Sequence, residues 1–442
     1  MKIIIHRGSN EVGGTCIQLS SGGTTVLLDL GRPLAKGSKE IDLSSIKPDA
    51  VIVSHPHQDH YGLIDAIDSD IPVYIGELGK SLIDATRVFI GEELHKNSFY
   101  HFKGWKPFEI GGFTITPYLV DHSAVDAYSF LIEAEGKRLF YSGDFRAHGR
   151  KSDLFERMVK KPLKDIDILF MEGTMLKRNN DDFPTEEAVE AKIYETIRCQ
   201  ENISFLISSS QNIDRIVSAF RACKRAGKTL VIDFYTAWVL EQIKKVSSSV
   251  PAMEWPFIRV YADYSQDQVL QSNSEFFGDF RKRVYRYRIE REELTANPAQ
   301  YLFFSKMSKF RIMELYKGEK PVNVIYSQWL GYLKCSNDAY YGAQEIAAYQ
   351  QDPHVNFVYA HTSGHATVED LKEFAKALNP KMLVPIHSCF PEKYAELFSN
   401  VVYKKDGEYW EVKKMLDEQT VLELNNLFGL GRAEHYSLKS EE

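Results

Sequence analysis

The stretch VIVSHPHQDHYG, residues 51–62, constrains this chain more than any other, because it places three histidines and an aspartate within six consecutive residues. Val51, Ile52 and Val53 precede them, and β-branched residues favour extended backbone, so we expect the histidines in a loop just beyond a buried strand. Imidazole suits zinc, and a carboxylate adds a hard oxygen ligand. A polar loop that merely happens to be rich in histidine is the alternative, but a packed loop has no reason to concentrate groups that need partners. The loop therefore predicts a metal site.

Three further segments offer polar residues directly after apolar, strand-like runs. TTVLLDLG places Asp29 at the end of such a run, TPYLVDHSAVDAYSFLIE offers His122, and KRLFYSGDFRAHG offers Asp144. Taken one at a time, Asp29 and Asp144 are as typical of turns, and His122 of a hydrogen-bonded structural histidine. Their order along the chain favours metal ligands and the partners that orient them.

The composition is that of an ordinary globular protein. The 442 residues allow two domains or one large interrupted domain, and 44% are hydrophobic and 26% charged. No apolar run approaches the ~20 residues of a membrane span, and the start MKIIIHRGSNEVGG lacks the apolar core of a signal peptide. We therefore expect a cytoplasmic protein without a membrane partner.

The five cysteines show no paired spacing, and an odd number argues against a disulfide framework. Cys389 follows a candidate metal ligand, His387, by two residues. We interpret it as a packed thiol; a thiolate that takes part in the metal site is the alternative.

The formal net charge of -7 does not indicate nucleic-acid binding, because phosphate contacts need lysine and arginine. One segment departs from this average: DFRKRVYRYRIER, residues 279–291, interleaves six basic residues with Tyr285 and Tyr287. Charge combined with aromatic rings is typical of segments that hold and stack single strands. A solvated amphipathic segment is an equally good interpretation.

The chain changes character after about residue 170. Before that point strand-like runs alternate with Gly-rich turns and show few helical patterns, as in half of a layered sandwich. TEEAVEAKIYETIRCQ then predicts a helix, with Thr185 and Glu187 as start signals. Residues 202–235 read strand, helix, strand, which is a βαβ unit and predicts a parallel sheet. A second domain is thus inserted, and we expect it to end near YQQDPHVNFVYAH, residues 349–361.

The sequence beyond the insertion is again rich in histidine. AHTSGHATVEDLKEFAKALNPKMLVPIHSC places His365 at the end of a Ser-Gly turn, followed by a capped amphipathic helix and a strand that ends at His387. The last residues, EQTVLELNNLFGLGRAEHYSLKSEE, predict one helix and a polar tail.

The spacing His55-x-His57-x-Asp59-His60, with MEGT at Glu172, HTSGH and the inserted domain, resembles the β-CASP group of metallo-β-lactamase nucleases, and within it the ribonuclease J family most closely. The resemblance covers the chain from about NEVGG to Tyr394. It implies an α/β fold: an αββα metallo-β-lactamase sandwich interrupted by a β-CASP domain with a parallel sheet. The expected domains are residues 1–178, 179–352 and 353–442, the last with the C-terminal helix and tail.

The resemblance also implies roles for individual residues. Asp29 would orient the histidine loop, and Glu172 would orient His365, the general acid that protonates the leaving oxygen. Two Zn²⁺ ions, or Mn²⁺ or Mg²⁺ in their place, would share seven ligands, with Asp59 and Asp144 also counted as catalytic. The implied ligands are His55, His57, Asp59, His60, His122, Asp144 and His387.

The substrate implied by the resemblance is single-stranded RNA, because His387 stands where DNA-directed members have an aliphatic residue. The implied activity is two-metal phosphodiester hydrolysis, 5′-to-3′ exonuclease with endonuclease cuts as a secondary mode. His361 and Ser363 from one side, and Ser210 and Gln211 from the other, would hold a 5′-monophosphate; serines that merely cap a helix are the alternative. A DNA nuclease of the same fold and, less favoured, a small-molecule metallo-hydrolase are alternative functions. The oligomeric state is left open.

Overall fold

The computed structural model describes residues 1–34, 38, 40–178, 182–334 and 341–412. The strands of this part of the chain form three sheets. They are β1 (Lys2–Arg7), β2 (Cys16–Ser21), β3 (Thr24–Leu28), β4 (Ala50–Ile52), β5 (Val73–Gly76), β6 (Phe99–Phe102), β7 (Phe108–Ile110), β8 (Phe113–Leu119), β9 (Tyr128–Ala134), β10 (Lys137–Tyr141), β11 (Ile168–Glu172), β12 (Ser204–Ile207), β13 (Thr229–Asp233), β14 (Ile258–Tyr261), β15 (Arg288–Ile289), β16 (Tyr301–Ser305), β17 (Val322–Tyr326), β18 (Val355–Tyr359), β19 (Met382–Ile386) and β20 (Tyr409–Glu411).

The α-helices of the described residues are α1 (Gln58–Tyr61), α2 (Glu77–Ile90), α3 (Ser152–Lys160), α4 (Glu186–Ile197), α5 (Ile213–Ala226), α6 (Phe234–Lys244), α7 (Tyr264–Ser272), α8 (Ser274–Phe277), α9 (Phe280–Val284), α10 (Arg291–Ala296), α11 (Phe310–Glu314), α12 (Gly331–Lys334), α13 (Ala343–Ala348), α14 (Val368–Leu378) and α15 (Tyr394–Leu397). Local sequence explains where two of them begin. Thr185 caps α4 by accepting a hydrogen bond from the backbone N–H of Ala188, as predicted. α14 begins with a capping box of Thr367 and Asp370. Of the helices in the described ranges, none combines the length and the apolar character that crossing a membrane requires.

The first two sheets pack face to face. Their strand orders are β20-β1-β2-β3-β4-β5-β6 and β19-β11-β10-β9-β8-β7. Alternate residues of the two inner faces, such as Ile17 and Leu19 of β2 and Phe130 and Ile132 of β9, form one core. α3 and α14 pack on the outer face of the second sheet, and α2 packs on that of the first through Ile83. The predicted αββα sandwich is confirmed.

The third sheet is the inserted one, and all of its pairs are parallel: its order is β15-β14-β13-β16-β12-β17-β18. Helices cover both of its faces. The predicted parallel sheet is confirmed, although β16 separates β12 and β13, the two strands of the predicted βαβ unit. Ligands of such sheets bind beyond the carboxyl ends of the strands, and β18 leads from that edge into the HTSGH turn.

Three details differ from the prediction or escape it. β18 pairs with β17, so a boundary at residues 352/353 would cut the last strand from its own sheet; we place the end of the inserted domain after Tyr359. α2 lies in a region where few helices were expected, and its Leu82, Ala85 and Val88 join the core of the third sheet, so this helix connects the two domains. The predicted C-terminal helix lies outside the described residues.

Candidate metal centre

The histidine-rich loop follows the buried strand β4, as predicted, and turns into the short helix α1. His55 lies in the loop, His57 is the N-cap of α1, and Asp59 and His60 belong to the helix itself. The backbone changes from extended to helical at His57, whose φ is -91° and ψ is 141°. Because of this change, the side chains of His55 and His57 point in one direction and those of Asp59 and His60 in another.

Three histidine nitrogens face one another in a first cluster. His55 Nε2 lies 3.1 Å from His57 Nδ1, and His122 Nε2 lies 3.3 Å from the same nitrogen. Two nitrogen ligands, each about 2.05 Å from one tetrahedral zinc ion, are separated by about 3.3 Å. The spacing of the three nitrogens therefore fits one zinc ion.

A second cluster lies beside the first. His60 Nε2 and His387 Nε2 lie 3.7 Å and 3.4 Å from Asp59 Oδ2. Asp144 stands between the clusters, with Oδ2 at 3.2 Å from His60 Nε2 and 3.8 Å from His55 Nε2. The structure thus brings all the predicted metal ligands around two adjacent positions.

The centre contains buried polar atoms that no protein group satisfies. His60 Nε2 and Asp144 Oδ1 are inaccessible to solvent and have no hydrogen-bond partner. An unpaired buried polar atom costs about as much free energy as a lost hydrogen bond, so these two atoms indicate a ligand. Imidazole and carboxylate donors together suit divalent ions such as zinc.

Asp29 orients the histidine loop from behind. Its Oδ2 lies 2.7 Å from His60 Nδ1, and it accepts hydrogen bonds from the backbone N–H and the hydroxyl of Ser54 and from the hydroxyl of Tyr141. The Ser54 hydroxyl in turn lies 3.0 Å from His55 Nδ1. These contacts fix which nitrogen of His55 and His60 faces the centre.

The two histidines from distant segments are oriented in the same way. The Gly364 carbonyl accepts from His122 Nδ1 at 2.6 Å, and the Thr174 hydroxyl lies 3.0 Å from His387 Nδ1. A Cβ on Gly364 would lie 2.5 Å from Ser123 Oγ, so a residue with a side chain could not approach His122 this closely. The HTSGH turn, where the chain returns from the inserted domain, therefore supports the first cluster.

Two residues of the centre hold left-handed backbone conformations. Asp29 has φ 57° and His387 has φ 48°. Residues with a Cβ pay about 1–3 kcal/mol for such a conformation, which persists where the surroundings over-determine it. In His387 the backbone N–H donates to the Gly8 carbonyl at 2.7 Å, which holds the strand end in this shape.

Burial and neighbouring charges set the protonation of the ligands. Burial lowers the pKa of His55 and His122 well below the usual value and that of His57 to about 4, so their lone pairs are available at neutral pH. Burial opposes ionisation of Asp144, but His387 and His60 outweigh it and hold the pKa of this carboxyl well below its usual range. For His60, burial is outweighed by Asp144 and Asp29, which raise its pKa.

His365 differs from the buried ligands in exposure and partners. Its side chain is 21% exposed, and Nδ1 lies 3.1 Å from Glu172 Oε1 and 3.7 Å from Asp144 Oδ2. Burial lowers its pKa, but Glu172 and Asp144 outweigh burial and raise it, which favours the protonated form of the ring. Glu172 is itself fixed by the backbone N–H of Thr174 at 3.0 Å. The His365–Glu172 pair suits proton donation. Its atoms also lie close enough to Asp144 and His387 for the four residues to bind one metal ion together.

A buried ion-pair network lies directly behind the centre and joins the two domains. Arg146, two residues after Asp144, donates to the Ser363 carbonyl at 3.0 Å and to Asp214 at 2.5 Å. It also contacts Asp121, the neighbour of His122, at 3.4 Å and Glu186 at 3.3 Å. We call this network the domain-junction cluster; its five buried members are Asp121, Arg146, Glu186, Asp214 and Arg215.

Sequence reasoning did not assign this cluster. Glu186 forms ion pairs with both Arg146 and Arg215. Burial alone would raise the pKa of Glu186, but the two arginines outweigh burial and lower this pKa to about 2. The sequence pattern indicated Glu187 as a helix-start residue but carried no sign that its neighbour points inward. Ser54 and Thr174 were also missed, although both adjoin quoted motifs.

All four predicted phosphate ligands already have protein partners. Ser363 Oγ accepts from the backbone N–H of His365 at 3.1 Å, and Ser210 Oγ accepts from Thr236 at 2.8 Å. His361 Nδ1 lies 3.2 Å from the Ser327 carbonyl, and burial, followed by nearby Arg215, lowers its pKa to about 3. The Gln211 amide donates to the hydroxyls of Thr86 and Tyr235 at 2.8 Å and 2.9 Å.

The basic segment and Cys389 lie apart from this chemistry. Arg281 and Arg288 pair with Asp267 at 2.8 Å and Glu290 at 2.7 Å, and β15 lies at the sheet edge opposite β18. These pairs favour the interpretation as a solvated surface. Cys389 is exposed rather than packed, because it lies past the end of β19, where its neighbour Ser388 takes the buried position.

Two family models match the chain. The model described as Beta-lactamase superfamily domain matches residues 29–199, and the Zn-dependent metallo-hydrolase RNA specificity domain matches residues 354–413. The first range contains the histidine loop, His122 and Asp144, and the second contains His365 and His387. Residues 29–199 thus form a metallo-β-lactamase superfamily domain, and residues 354–413 form a domain of the Zn-dependent metallo-hydrolases. The superfamily sandwich is interrupted here by most of the third sheet, which lies between the two matches.

Individual relatives agree with this assignment. The chain is 22% identical to "Ribonuclease J" of Helicobacter pylori (strain B128) over 93% of its own length, and it spans 60% of that relative. It is 29% identical to "Probable RNase MJ4" of Methanocaldococcus jannaschii over 45% of this chain and 50% of the relative. A crystal structure of a protein of unknown function from Enterococcus faecalis V583 has a TM-score of 0.71 at 20% identity, covering 93% of this chain and 99% of that one. This last likeness shows the fold alone.

Proposed function

We propose that this metallo-β-lactamase superfamily protein is a metal-dependent ribonuclease that hydrolyses phosphodiester bonds of single-stranded RNA. The observation that carries the proposal is the convergence of histidine and aspartate side chains at one buried centre. Two atoms of these side chains, His60 Nε2 and Asp144 Oδ1, are buried and lack hydrogen-bond partners. RNA as the substrate is supported by the match to an RNA specificity domain at residues 354–413 and by the ribonuclease names of the relatives. A cytoplasmic location stays a prediction.

Two groups of residues would hold two divalent ions. His55, His57 and His122 would hold one ion, and the Asp59–His60–His387 cluster the other, with Asp144 between them. Bound zinc would polarise a phosphate oxygen and lower the pKa of nearby water; Mn²⁺ or Mg²⁺ is proposed as an alternative ion. Asp29 would serve by keeping the histidine rings in their ligating orientation.

His365 would handle the proton of the leaving group. Its side chain is 21% exposed, and Glu172 Oε1 holds its Nδ1–H at 3.1 Å. Because the two carboxylates beside it raise its pKa, the imidazolium can give a proton to the oxygen that departs from phosphorus. Glu172 would orient the ring and stabilise its charge rather than exchange the proton.

We further propose that cleavage starts from a 5′-monophosphate and proceeds 5′ to 3′, with endonuclease cuts as a secondary mode. The support lies at the carboxyl edge of the third sheet, where the Ser208 and Thr362 hydroxyls are buried without hydrogen-bond partners. Such hydroxyls suit the oxygens of an anion. Because Thr362 lies between His361 and Ser363 in the chain, we assign the phosphate mainly to their side.

The test uses purified protein loaded with Zn²⁺ or Mn²⁺ and one RNA sequence with a 5′-hydroxyl, a 5′-monophosphate or a 5′-triphosphate, labelled at its 3′ end. Metal-dependent cleavage of the RNA supports the ribonuclease, and faster cleavage of the monophosphate form supports the end preference. Equal rates on all three ends, unchanged in Ser363→Ala, would show a nuclease that ignores the end.

A DNA of the same sequence separates the alternative function. Equal or faster cleavage of single-stranded DNA would favour a DNA nuclease of the same fold. Protein treated with a chelator, and then reloaded, is the matched control for contaminating nuclease, because only the metal-dependent activity should disappear and return.

A further inference from the structure

An arginine and a tryptophan from the two domains stack on each other at the domain boundary. The guanidinium carbon of Arg178 lies 4.2 Å from the centre of the Trp329 ring. Arg178 belongs to the segment after β11 of the sandwich, and Trp329 follows β17 of the inserted sheet. The pair therefore connects the two domains through a cation–π contact.

Both residues lie a short distance along the chain from the metal centre. Arg178 lies four residues after Thr174, and the Thr174 hydroxyl contacts His387. The backbone N–H of Arg178 donates a hydrogen bond to the Met175 carbonyl at 2.9 Å. Four residues span at most about 14 Å even when extended, and this turn shortens the span. Trp329 is two residues from Ser327, whose carbonyl lies 3.2 Å from His361 Nδ1.

The indole ring is held in place but remains accessible. A Cβ on Gly331 would lie 2.2 Å from the Trp329 ring, so the ring lies directly against the glycine backbone. Tyr332 contacts it edge-on, with ring centres 5.4 Å apart at 85°. Trp329 nevertheless keeps 40% of its surface exposed, which is unusual for the largest aromatic side chain in a fixed position.

Arg178 differs from the arginines of the basic segment in its partners. Within the described ranges no carboxylate forms an ion pair with Arg178, whereas Arg281 is paired with Asp267. A guanidinium stacked on an indole is a planar cation that can stack on a further ring. Unpaired bases stack on aromatic side chains and on arginine planes.

We propose that Arg178 and Trp329 form a stacking platform for one unpaired nucleobase of the strand that is cleaved at the metal centre. This inference rests on the proposed nuclease function and adds a specific contact to it. The base stacks on the Arg178–Trp329 pair, and the adjoining phosphates are drawn by the arginine charge. The platform thereby fixes the register of the strand, since one base is held at a set distance from the scissile phosphate.

The experiment moves one abasic residue along a short 5′-monophosphate RNA and measures its affinity and cleavage by the whole zinc-loaded protein. Base stacking is worth about fivefold to 100-fold in affinity per base, so an abasic residue should weaken binding by that factor at one position and little elsewhere. Trp329→Leu and Arg178→Ala should weaken binding of the intact RNA by a similar factor. In both variants, placing the abasic residue at that position should cause no further loss of RNA affinity.

Matched variants separate stacking from other effects. Trp105→Leu changes another exposed tryptophan, which is 53% exposed, and Arg157→Ala removes an arginine whose side chain is 73% exposed; both should leave the abasic profile unchanged. Arg178→Lys keeps the charge and loses the plane, so it should lose both the position-specific cost and the affinity that stacking contributes, whereas a purely electrostatic role of Arg178 would leave this variant close to the wild type. If Trp329→Leu fails to fold, the two Arg178 variants carry the test alone.

The possible failures are distinguishable. The platform is wrong, and the nuclease function stands, under the following result. The wild-type protein cleaves RNA, no single abasic position weakens binding more than the others, and the Trp329 and Arg178 variants bind RNA normally. A wild-type protein that neither binds nor cleaves any RNA would overturn the proposed function and the platform together.

Discussion

The metal centre and the domain-junction cluster are neighbouring buried groups of charged residues, yet they satisfy their polar atoms in opposite ways. In the metal centre, His60 Nε2 and Asp144 Oδ1 have no hydrogen-bond partner. In the domain-junction cluster, Arg146 alone contacts three carboxylates and a backbone carbonyl. No atom of this cluster is among the buried side-chain atoms without a partner in the described part of the chain.

This difference separates a site built for a ligand from one built for structure. Buried charges are tolerated when they are paired, and the junction pairs all of its charges within the protein. The metal centre leaves its donors pointing inward at one another, with histidine nitrogens 3.1 Å and 3.3 Å apart. An external cation is the missing partner of that arrangement. Substitutions in the two regions should therefore fail in different ways.

The largest effect is expected at His365, which stands between the two regions. His365→Ala should slow cleavage by about 10²- to 10⁴-fold, because a positioned general acid contributes that much, while the metal content stays nearly unchanged. The measurement is single-turnover cleavage of 5′-monophosphate RNA together with elemental analysis. Loss of one metal ion in the variant would instead make His365 a ligand.

Arg146→Met should show the opposite failure. Removing one partner of a buried ion pair costs about 3–5 kcal/mol, so the free energy of unfolding should fall by that amount. Urea unfolding checks this, with Arg157→Met as a control because Arg157 pairs with Asp153 at 3.0 Å on the exposed face of α3. Equal stability of the two variants would mean that the junction contributes no more than a surface pair.

Asp29→Asn tests whether orientation matters at the metal centre. An asparagine keeps the size of the side chain but cannot accept all the hydrogen bonds from His60, Ser54 and Tyr141. Partners of this kind are worth about 10- to 100-fold in metal affinity, so zinc should bind more weakly by that factor. Chelator competition measures it, and an unchanged zinc affinity would assign Asp29 to folding alone.

The smallest effect is expected in the basic segment. Arg281→Ala removes an exposed pair, and such pairs contribute less than about 1 kcal/mol. Stability and RNA affinity should therefore hardly change, as measured by urea unfolding and by binding of labelled RNA. A loss of RNA affinity above tenfold, on the scale of a stacked or paired contact, would identify the segment as a strand-binding surface after all.

Much of the fold, and the choice of the histidines and aspartates that the structure brings together, can be predicted because both depend on local patterns. Strand ends follow from β-branched runs, as for Val51 to Val53 before the histidine loop, and α14 follows from a capping box and a 3.6-residue apolar period. Strand order does not follow, since β16 inserts between β12 and β13. For the same reason the sequence pattern predicts the end of the inserted domain before β18, since hydrogen bonds to a partner strand leave no local signal.

The sequence by itself determined which residues are the candidate metal ligands, because histidines and aspartates after successive strands have few other uses in that order. Only the tertiary structure decided which buried charges stay unpaired for a ligand and which pair with each other. Glu186 and Glu187 are adjacent and chemically identical, yet only Glu186 turns inward to the arginines. Arg178 and Trp329 are about 150 residues apart in the chain and meet only because two domains close on each other. Pairing of charges and rings is a property of distances between segments, and local sequence does not contain those distances.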